Sequence, residues 1–515
     1  MLEKTLILPA FIIYLYQKVA LNQDNIRLLF GLKLKQLRLD KQFSLNELAQ
    51  ATGLSISYIN EIEKGKKYPK SDKIMALAQA LGVEYDSLVS IKLSKKLEPI
   101  SELLQSNILT ELPLDLFGID PADLLQMLSE APTKLSAFIG TLIEIARNYN
   151  MSVEQFYFSA LRTYQEMYDN YFEELEQEAE RFLREFDVPE SLVLDDRYLA
   201  DLLIKTYNYQ ILPIDEKKYP ELSGVRSLLV PQGAQPRLLV NPQLDANQRT
   251  FIFGREIGYQ YMKLKNRLNS THLVEAESFE QLLNNYKASY FASAIVMKGR
   301  VMAQKLEVFF QKPHFDADEL LRMVDYFNTT PESFCYRLSN VLPQFFGINQ
   351  LFFLRFNNFA GQSRFDLTKE MHIARKHNPH TVKDEHYCRR WVSLTILQDL
   401  AYRQSREGFK GTLCQTQVSE YVDTQQEYFV VAFARAMSPT PQLNVSISMG
   451  IFLDDNVRAK IKFLNTSAVE KCQVNETCER CAIFDCKERM AAPTVLQRKR
   501  KNEAIQNAMK QLAKQ

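Results

Sequence analysis

Glycine and proline are scarce, 16 and 19 in 515 residues, which excludes a collagen-like repeat and a low-complexity or wholly disordered chain. Long apolar runs are missing too. The most hydrophobic N-terminal stretch, Leu6 to Tyr16, falls short of the roughly 20 residues a bilayer-spanning helix needs, and no small-residue cleavage site follows it. No membrane span is therefore expected, and a cytoplasmic location is. That stretch reads as a membrane-touching anchor, as a helix packed on the body, or as sequence ahead of a true start later than Met1, the last two being preferred. Net charge is almost absent, with 63 basic against 62 acidic residues, so a uniformly basic coat is excluded and any nucleic-acid surface must come from local segregation of charge. Seven cysteines are too few for a disulfide-built scaffold, yet four of them fall between Cys472 and Cys486, a crowding that suggests metal ligation. The remaining composition, 46% hydrophobic and 24% charged, is that of a globular protein, and at about 150 residues per domain the length predicts three to four domains.

Beyond an N-terminal apolar extension (1–25), residues 26–92 predict five short helices from apolar positions such as Leu28, Leu34, Leu37 and Leu45 at helical spacing. Ser44 with Glu47 three residues on is a capping box, Ala51-Thr52-Gly53-Leu54 is a tight turn, and Ser55 caps a second helix running to Lys64. Ile59 and Ile62 would pack inward, leaving Ser57, Tyr58, Asn60 and Glu61 to reach base edges in a major groove. Lysines cluster just beyond, at 64, 66, 67, 70 and 73, where phosphates would lie. The run S-L-N-E-L-A-Q-A-T-G-L-S-I-S-Y-I-N-E-I-E-K-G-K-K-Y-P resembles the XRE-type helix-turn-helix family. The resemblance implies that residues 55–64 are the recognition helix and that double-stranded promoter DNA is a partner. The predicted DNA contacts are Ser44, Ser55, Ser57, Tyr58, Asn60, Glu61, Lys64, Lys66 and Lys67.

Residues 93–190 read as an acidic helical linker or dimerisation region, with one long helix over about 152–186. From 191 to 345 the pattern turns α+β. Strands are predicted at Gln210 to Ile214 and Arg237 to Asn241, and helices at Phe251 to Leu264 and around Asn285 to Met297. The stretches Gly254-Arg255-Glu256-Ile257-Gly258-Tyr259 and Asn285 to Met297 resemble the ImmA/IrrE metallopeptidases, whose first helix carries H-E-x-x-H. A zincin needs two imidazoles one turn apart, a third ligand and a glutamate. Here the ligand positions hold Arg255, Tyr259 and Asn285. Arginine repels a cation, and neutral tyrosine and asparagine are poor ligands, so only Glu256 of the catalytic set survives. The expectation is a zincin-like domain without its metal, not an enzyme, with Arg255, Glu256, Tyr259 and Asn285 either contacting a small carboxylate or phosphate ligand or filling the former cleft. A regulatory protease acting through Glu256 is the rival.

Residues 346–490 predict a mixed α+β sensor domain with an antiparallel sheet, through strands near Gly411 to Val418, Glu427 to Ala434 and Asn444 to Gly450. Cys472, Cys478, Cys481 and Cys486 then follow, and the C-x2-C pair suits Zn²⁺ or an iron–sulfur cluster. The fourth ligand is either Cys472 or the remote Cys388, and reduced thiols without metal remain open. His372, His377, His380 and His386 read as loop residues. The headpiece, the degenerate ImmA/IrrE segment, Cys388-Arg389-Arg390-Trp391 and C-x2-C-x4-C-x2-R ending at Arg489 together are similar to the short-chain fatty acyl-responsive transcriptional regulators. That resemblance implies control of carboxylate or acyl-CoA metabolism, with an acyl-CoA as effector and a homodimer or tetramer as the working form. A redox- or iron-sensing regulator is the alternative. The tail, 491–515, is basic and helical, with Arg498-Lys499-Arg500-Lys501 together. The fold class is thus multidomain α+β: an all-α headpiece, a helical linker, a zincin-like domain and a mixed C-terminal domain.

Overall fold

The computed structural model describes residues 23–90, 153–231, 235–270, 276, 278–359, 362–373, 385–440, 442–466 and 469–512. The Leu6 to Tyr16 stretch, the part of the expected linker before residue 153, and His377 and His380 lie outside the described residues. The chain divides into two compact units, one holding the N-terminal headpiece and one running from Phe158 onward apart from residues 278–280.

The headpiece has the five expected helices: α1 (Gln23–Asp40), α2 (Leu45–Thr52), α3 (Ile56–Glu63), α4 (Ser71–Leu81) and α5 (Tyr85–Val89). Local chemistry sets their ends. The Ser44 hydroxyl accepts from the Glu47 amide at 3.2 Å while the Glu47 carboxylate accepts from the Ser44 amide at 2.7 Å, satisfying donors that a helix start leaves open. Gly53 turns the chain at φ +67°, and the Ser55 hydroxyl accepts from the Tyr58 amide at 3.2 Å to open α3. Leu34, Leu48, Ile59, Ile62 and Leu77 are fully buried. Close contact between α1 and α3 depends on Gly31, where a β-carbon would stand 2.2 Å from the Ile62 carbonyl oxygen. Arg38 and Glu63 then fasten α1 to the end of α3 through a buried forked pair at 2.6 and 2.8 Å.

The second unit begins within α6 (Val153–Met167) and continues with α7 (Glu173–Glu185) and α8 (Asp196–Tyr207). Strands β1 (Gln210–Pro213), β2 (Ser227–Val230) and β3 (Arg237–Val240) form a sheet ordered β1-β3-β2, with β1 parallel and β2 antiparallel to β3. Helices α9 (Ala246–Tyr261), α10 (Phe279–Val296), α11 (Gly299–Phe310), α12 (Ala317–Tyr326) and α13 (Pro331–Phe346) follow. α9 and α10 cross at small residues: β-carbons on Gly254 and Gly258 would come within 3.2 Å of Ala292 Cβ and 3.1 Å of the Ala288 carbonyl oxygen. Arg337 of α13, wholly buried, forks onto Glu176 of α7 and donates from Nε to the Met297 carbonyl at 2.9 Å, while Tyr290 of α10 donates to the same carboxylate at 2.6 Å.

A six-stranded sheet comes next, from β4 (Leu351–Phe359), β5 (Asp366–His372), β6 (Leu413–Tyr421), β7 (Glu427–Ala436), β8 (Leu443–Phe452) and β9 (Lys471–Val474), in the order β5-β4-β8-β7-β6-β9. It is antiparallel except for β9, which runs parallel to β6. One face, with Leu354, Phe356, Val430 and Ala432, packs on α14 (Val392–Glu407) through Leu394, Ile396, Leu397 and Leu400. On the other face Phe353 stacks on Tyr336 of α13 at 4.5 Å, and Phe429 and Phe463 meet Phe315. These aromatic contacts gather the expected 191–345 and 346–490 domains into one unit. α15 (Asp455–Lys460) and α16 (Thr494–Leu512), with two short 3-10 helices at Pro220–Leu222 and Lys462–Asn465, complete the described elements.

Two expectations change. The predicted long helix over 152–186 is two helices: the chain reverses at Asp169 and Asn170, both at positive φ, and Asn170 is locked there by bonds from Tyr286 at 2.8 Å and to Ser339 at 2.7 Å. Leu175, Ala179 and Phe182 of α7 are buried within this unit. His372, expected in a loop, lies buried on β5. No helix among the described residues is long and apolar enough to cross a membrane.

Replacing Gly31 with Ala should push α1 off α3 and cost the headpiece about 1–3 kcal/mol, as overpacked contacts do. Urea unfolding followed by circular dichroism reads this, and an unchanged midpoint would show that α1 and α3 are not held at that distance.

Candidate nucleic-acid interface, anion clefts and thiol cavity

α3 presents its polar side outward. Ser55 and Ser57 are exposed, Tyr58, Asn60 and Glu61 half-exposed, and Lys66 and Lys67 exposed just beyond the helix, with Lys64 half-buried at its end and Ser44 exposed at the start of α2. The predicted set is therefore exposed or half-exposed throughout, while Ile59 and Ile62 form the buried side of α3. Glu61 is not free: Lys67 pairs with it at 2.8 Å and lies 5.8 Å over the Tyr58 ring. Hydrogen bonding to Glu61 raises the Lys67 pKa. Ile56, 45% exposed at the first turn of α3, is an apolar side chain on this polar surface that the sequence reading passed over.

In the second unit α9 brings Arg255, Glu256 and Tyr259 against Asn285 of α10, and the Tyr259 hydroxyl lies 3.1 Å from Asn285 Oδ1. The partner of Glu256 is Arg267, whose Nη2 reaches both carboxylate oxygens at 2.7 and 2.8 Å and whose guanidinium lies 3.8 Å over the Tyr259 ring. Arg255 stands 3.9 Å from Glu256, and its Nε has no hydrogen-bond partner among the described residues. The four predicted residues are together, but Arg267 occupies the space beside them. Two guanidiniums and two neutral amide or phenol groups do not suit a divalent cation, so this donor set does not fit a zincin metal.

Cations recur on the sheet face opposite α14. Arg355 of β4 faces Ile447 of β8, and Arg435 of β7 faces Val445 two residues away, so both project to one side. Arg435 pairs with Asp245, the N-cap of α9, at 2.7 Å. Glu332 lies 3.4 Å from Arg355 Nε and 2.6 Å from Lys369. Burial pushes the Glu332 carboxyl up, but Lys369, Arg355 and Arg226 pull it down to about 2. A separate cleft of about 460 Å³ opens beside α11 and α13, with Arg300 and Lys460 set among Phe310, Phe345 and Phe346.

Cys388, Cys478, Cys481 and Cys486 line one small cavity. Cys472 does not: it sits on β9 opposite Ser419. The structure thus groups the remote cysteine with the C-x2-C-x4-C run. Arg489 shapes the loop by donating to the carbonyls of Cys478, Cys481, Ile483 and Ala491 at 2.7 to 3.1 Å. The amides of Ile483 and Met490 approach the sulfurs of Cys481 and Cys478 at 3.4 Å. Burial pushes the Cys388 thiol up to about 11. Among the described residues no group of three or more histidines, cysteines and carboxylates is drawn together to hold a metal ion.

Residues 34–88 match the helix-turn-helix family and residues 208–339 the IrrE N-terminal-like domain. Over 67 residues the chain is 42% identical to Control protein C.BamHI of Bacillus amyloliquefaciens, a match covering 13% of this chain and 83% of that one. The chain belongs to the helix-turn-helix family. This helix-turn-helix protein is also 26% identical, over 129 residues, to the propionyl-CoA carboxylase regulator of Cereibacter sphaeroides, and there it spans 25% of its own length and 26% of the relative's. A solved structure, a Mycobacterium tuberculosis transcriptional regulator, overlaps 65% of this chain and 93% of that one at 20% identity and a TM-score of 0.44.

The residues missed by sequence reasoning share a cause. Arg267 stands in a polar stretch after α9 with no periodic signal, while Arg355 joins Arg435 on one sheet face, and Arg300 joins Lys460 in one cleft, only through the tertiary fold. Glu332→Gln, which strands the cations around it, should cost about 2–4 kcal/mol, less than for a fully buried charge because the carboxylate keeps some water. Because the folded carboxyl titrates below the usual 4.5, the stabilisation is complete above that value and disappears as pH falls toward about 2. Urea midpoints measured between pH 5 and 2.5 should converge for wild type and variant, and parallel curves would remove Glu332 from this role.

Proposed function

We propose that the protein is a sequence-specific DNA-binding transcriptional regulator whose second unit senses a short-chain acyl thioester or a related carboxylate. The observation that carries the DNA reading is the capped α3 with Ser57, Tyr58 and Asn60 outward and lysines directly after it. In this reading α3 enters the major groove, where Asn60 and Tyr58 reach base edges and Ile56 meets a thymine methyl, while Lys64, Lys66 and Lys67 neutralise phosphates. Lys67 gives up part of its pairing with Glu61 as it does so. A palindromic site would engage two copies, so the working form is a homodimer or a higher even oligomer.

Support for an acyl effector comes from the likeness to the propionyl-CoA carboxylase regulator and from the cleft at Arg300 and Lys460, which offers cations for a carboxylate or phosphate and phenyl rings for an acyl chain. It is better suited than the Arg255 site, where Arg267 already lies on Tyr259. Peptidase activity does not belong to this reading, because the donors at Arg255, Tyr259 and Asn285 do not suit a metal. An effector shifts DNA affinity only by binding the DNA-competent and incompetent arrangements unequally.

The thiol cavity favours an added cofactor role. In this reading four cysteines from two separate segments, with amides aimed at two sulfurs, are the ligands of an iron–sulfur cluster, with a single zinc ion as the alternative. Cys388, Cys478, Cys481 and Cys486 would hold it, and when bound it would supply a redox-sensitive centre.

Asn60→Ala or Tyr58→Ala should weaken binding to a sequence selected from a random pool about tenfold or more, the value of a good base contact, while changing binding to random duplex by less than about threefold. Equal losses on both DNAs, read by fluorescence anisotropy, would contradict the assignment. Anaerobically purified protein should carry iron and sulfide that Cys388→Ser or Cys481→Ser removes. Metal retained in both variants would overturn the thiol site. Propionyl-CoA should alter operator affinity in the wild type and not in an Arg300→Gln/Lys460→Gln variant; an effect equal in both would place the effector elsewhere.

A further inference from the structure

The C-terminal helix α16 has no core of its own. Every side chain from Gln497 to Leu512 is exposed. Its anchorage is at the first turn, where the amides of Val495 and Leu496 both donate to the Glu479 carbonyl at 3.1 Å, and Arg500 lies 5.4 Å over the Phe484 ring. An unsupported helix of this length is marginal in water, and its sequence makes the free state less favourable still. Arg498, Lys499, Arg500 and Lys501 follow one another at about 100° per residue, so they point to four sides of the helix and repel each other at close range. Only Glu503 opposes them along the helix, with Lys510 adding to the positive charge.

Such a collar fits a partner with dense negative charge and little demand for orientation. We propose that α16 is a second DNA-contacting element, a basic arm that settles on duplex phosphates without reading bases. The inference rests on the DNA-binding reading above and adds a surface that the helix-turn-helix headpiece does not supply. Duplex DNA carries one charge per about 1.7 Å, and each neutralised phosphate releases condensed counterions, so the two or three contacts that one side of the collar can make are felt chiefly as salt dependence. The competing occupant is a second copy of the helix, docked through Ile505, Met509 and Leu512. That stripe is three residues long, far short of the roughly 1,200–2,000 Å² a stable specific interface buries.

The test uses the full-length protein and a labelled random-sequence duplex, with the binding constant measured across a salt series. Replacing Arg498, Lys499, Arg500 and Lys501 together by Gln should make the slope of log K against log salt shallower by about 2 to 3 and lower binding at the low-salt end at least tenfold. Charge-conserving Arg498→Lys/Arg500→Lys should keep the wild-type slope, which separates lost charge from a damaged helix. Wild-type slope in the Gln variant overturns the arm while leaving the headpiece reading intact. Failure of the wild type itself to bind duplex overturns both. If Ile505→Ser/Met509→Ser instead turns a dimer into a monomer and the Gln variant keeps its slope, the helix serves self-association and the arm is rejected.

Discussion

The second unit turns on the ion pair between Arg337 and Glu176. A guanidinium with no solvent exposure is tolerable only if its charge is answered and its donors are used. Glu176 answers it, the Met297 carbonyl takes Nε, and Tyr290 adds a donor to the same carboxylate. Three helices, α7, α10 and α13, are thereby committed to one arrangement. With α7 pinned, the reversal at Asn170 has a fixed position, and α10 presents Ala288 and Ala292 to the glycines of α9. The site around Arg255 is a consequence of that crossing. Arg38 with Glu63 does the same work on a smaller scale, setting α1 against α3.

Buried arginines pose an electrostatic problem that the fold solves locally. Glu256 is used by Arg267, and Tyr259 supplies that guanidinium with a ring to lie on. Arg355 and Lys369 share Glu332, and Arg435 has Asp245. Glu256, Glu332 and Asp245 are thus each the partner of an arginine or a lysine.

Legibility in the sequence followed the range of the interactions. Caps and turns are local, and Ser44, Glu47, Gly53 and Ser55 could be read directly as the start and stop of α2 and α3. The small residues at 254, 258, 288 and 292 were visible as part of a motif, although their role in bringing two helices together was not. The break at Asp169 and Asn170 was hidden because apolar spacing runs on through Tyr168, Phe172 and Leu175, which suggested a continuous helix. Strand β4 was missed because Leu351 to Phe356 are buried on both faces and show no alternation. The choice between Cys388 and Cys472 could not be made from spacing, since β9 carries Cys472 along a sheet edge while the chain before α14 returns Cys388 to the loop.

The bonding of Arg489 bears on how the thiol cavity is shaped. One side chain holds four carbonyls of the loop, so the loop keeps its shape by protein contacts alone. That hold depends on the flat, many-donor shape of a guanidinium and not on positive charge alone. A lysine has one nitrogen at the end of a flexible stem and could not reach carbonyls at 478, 481, 483 and 491 together, so the loop's path is set by the shape of one side chain.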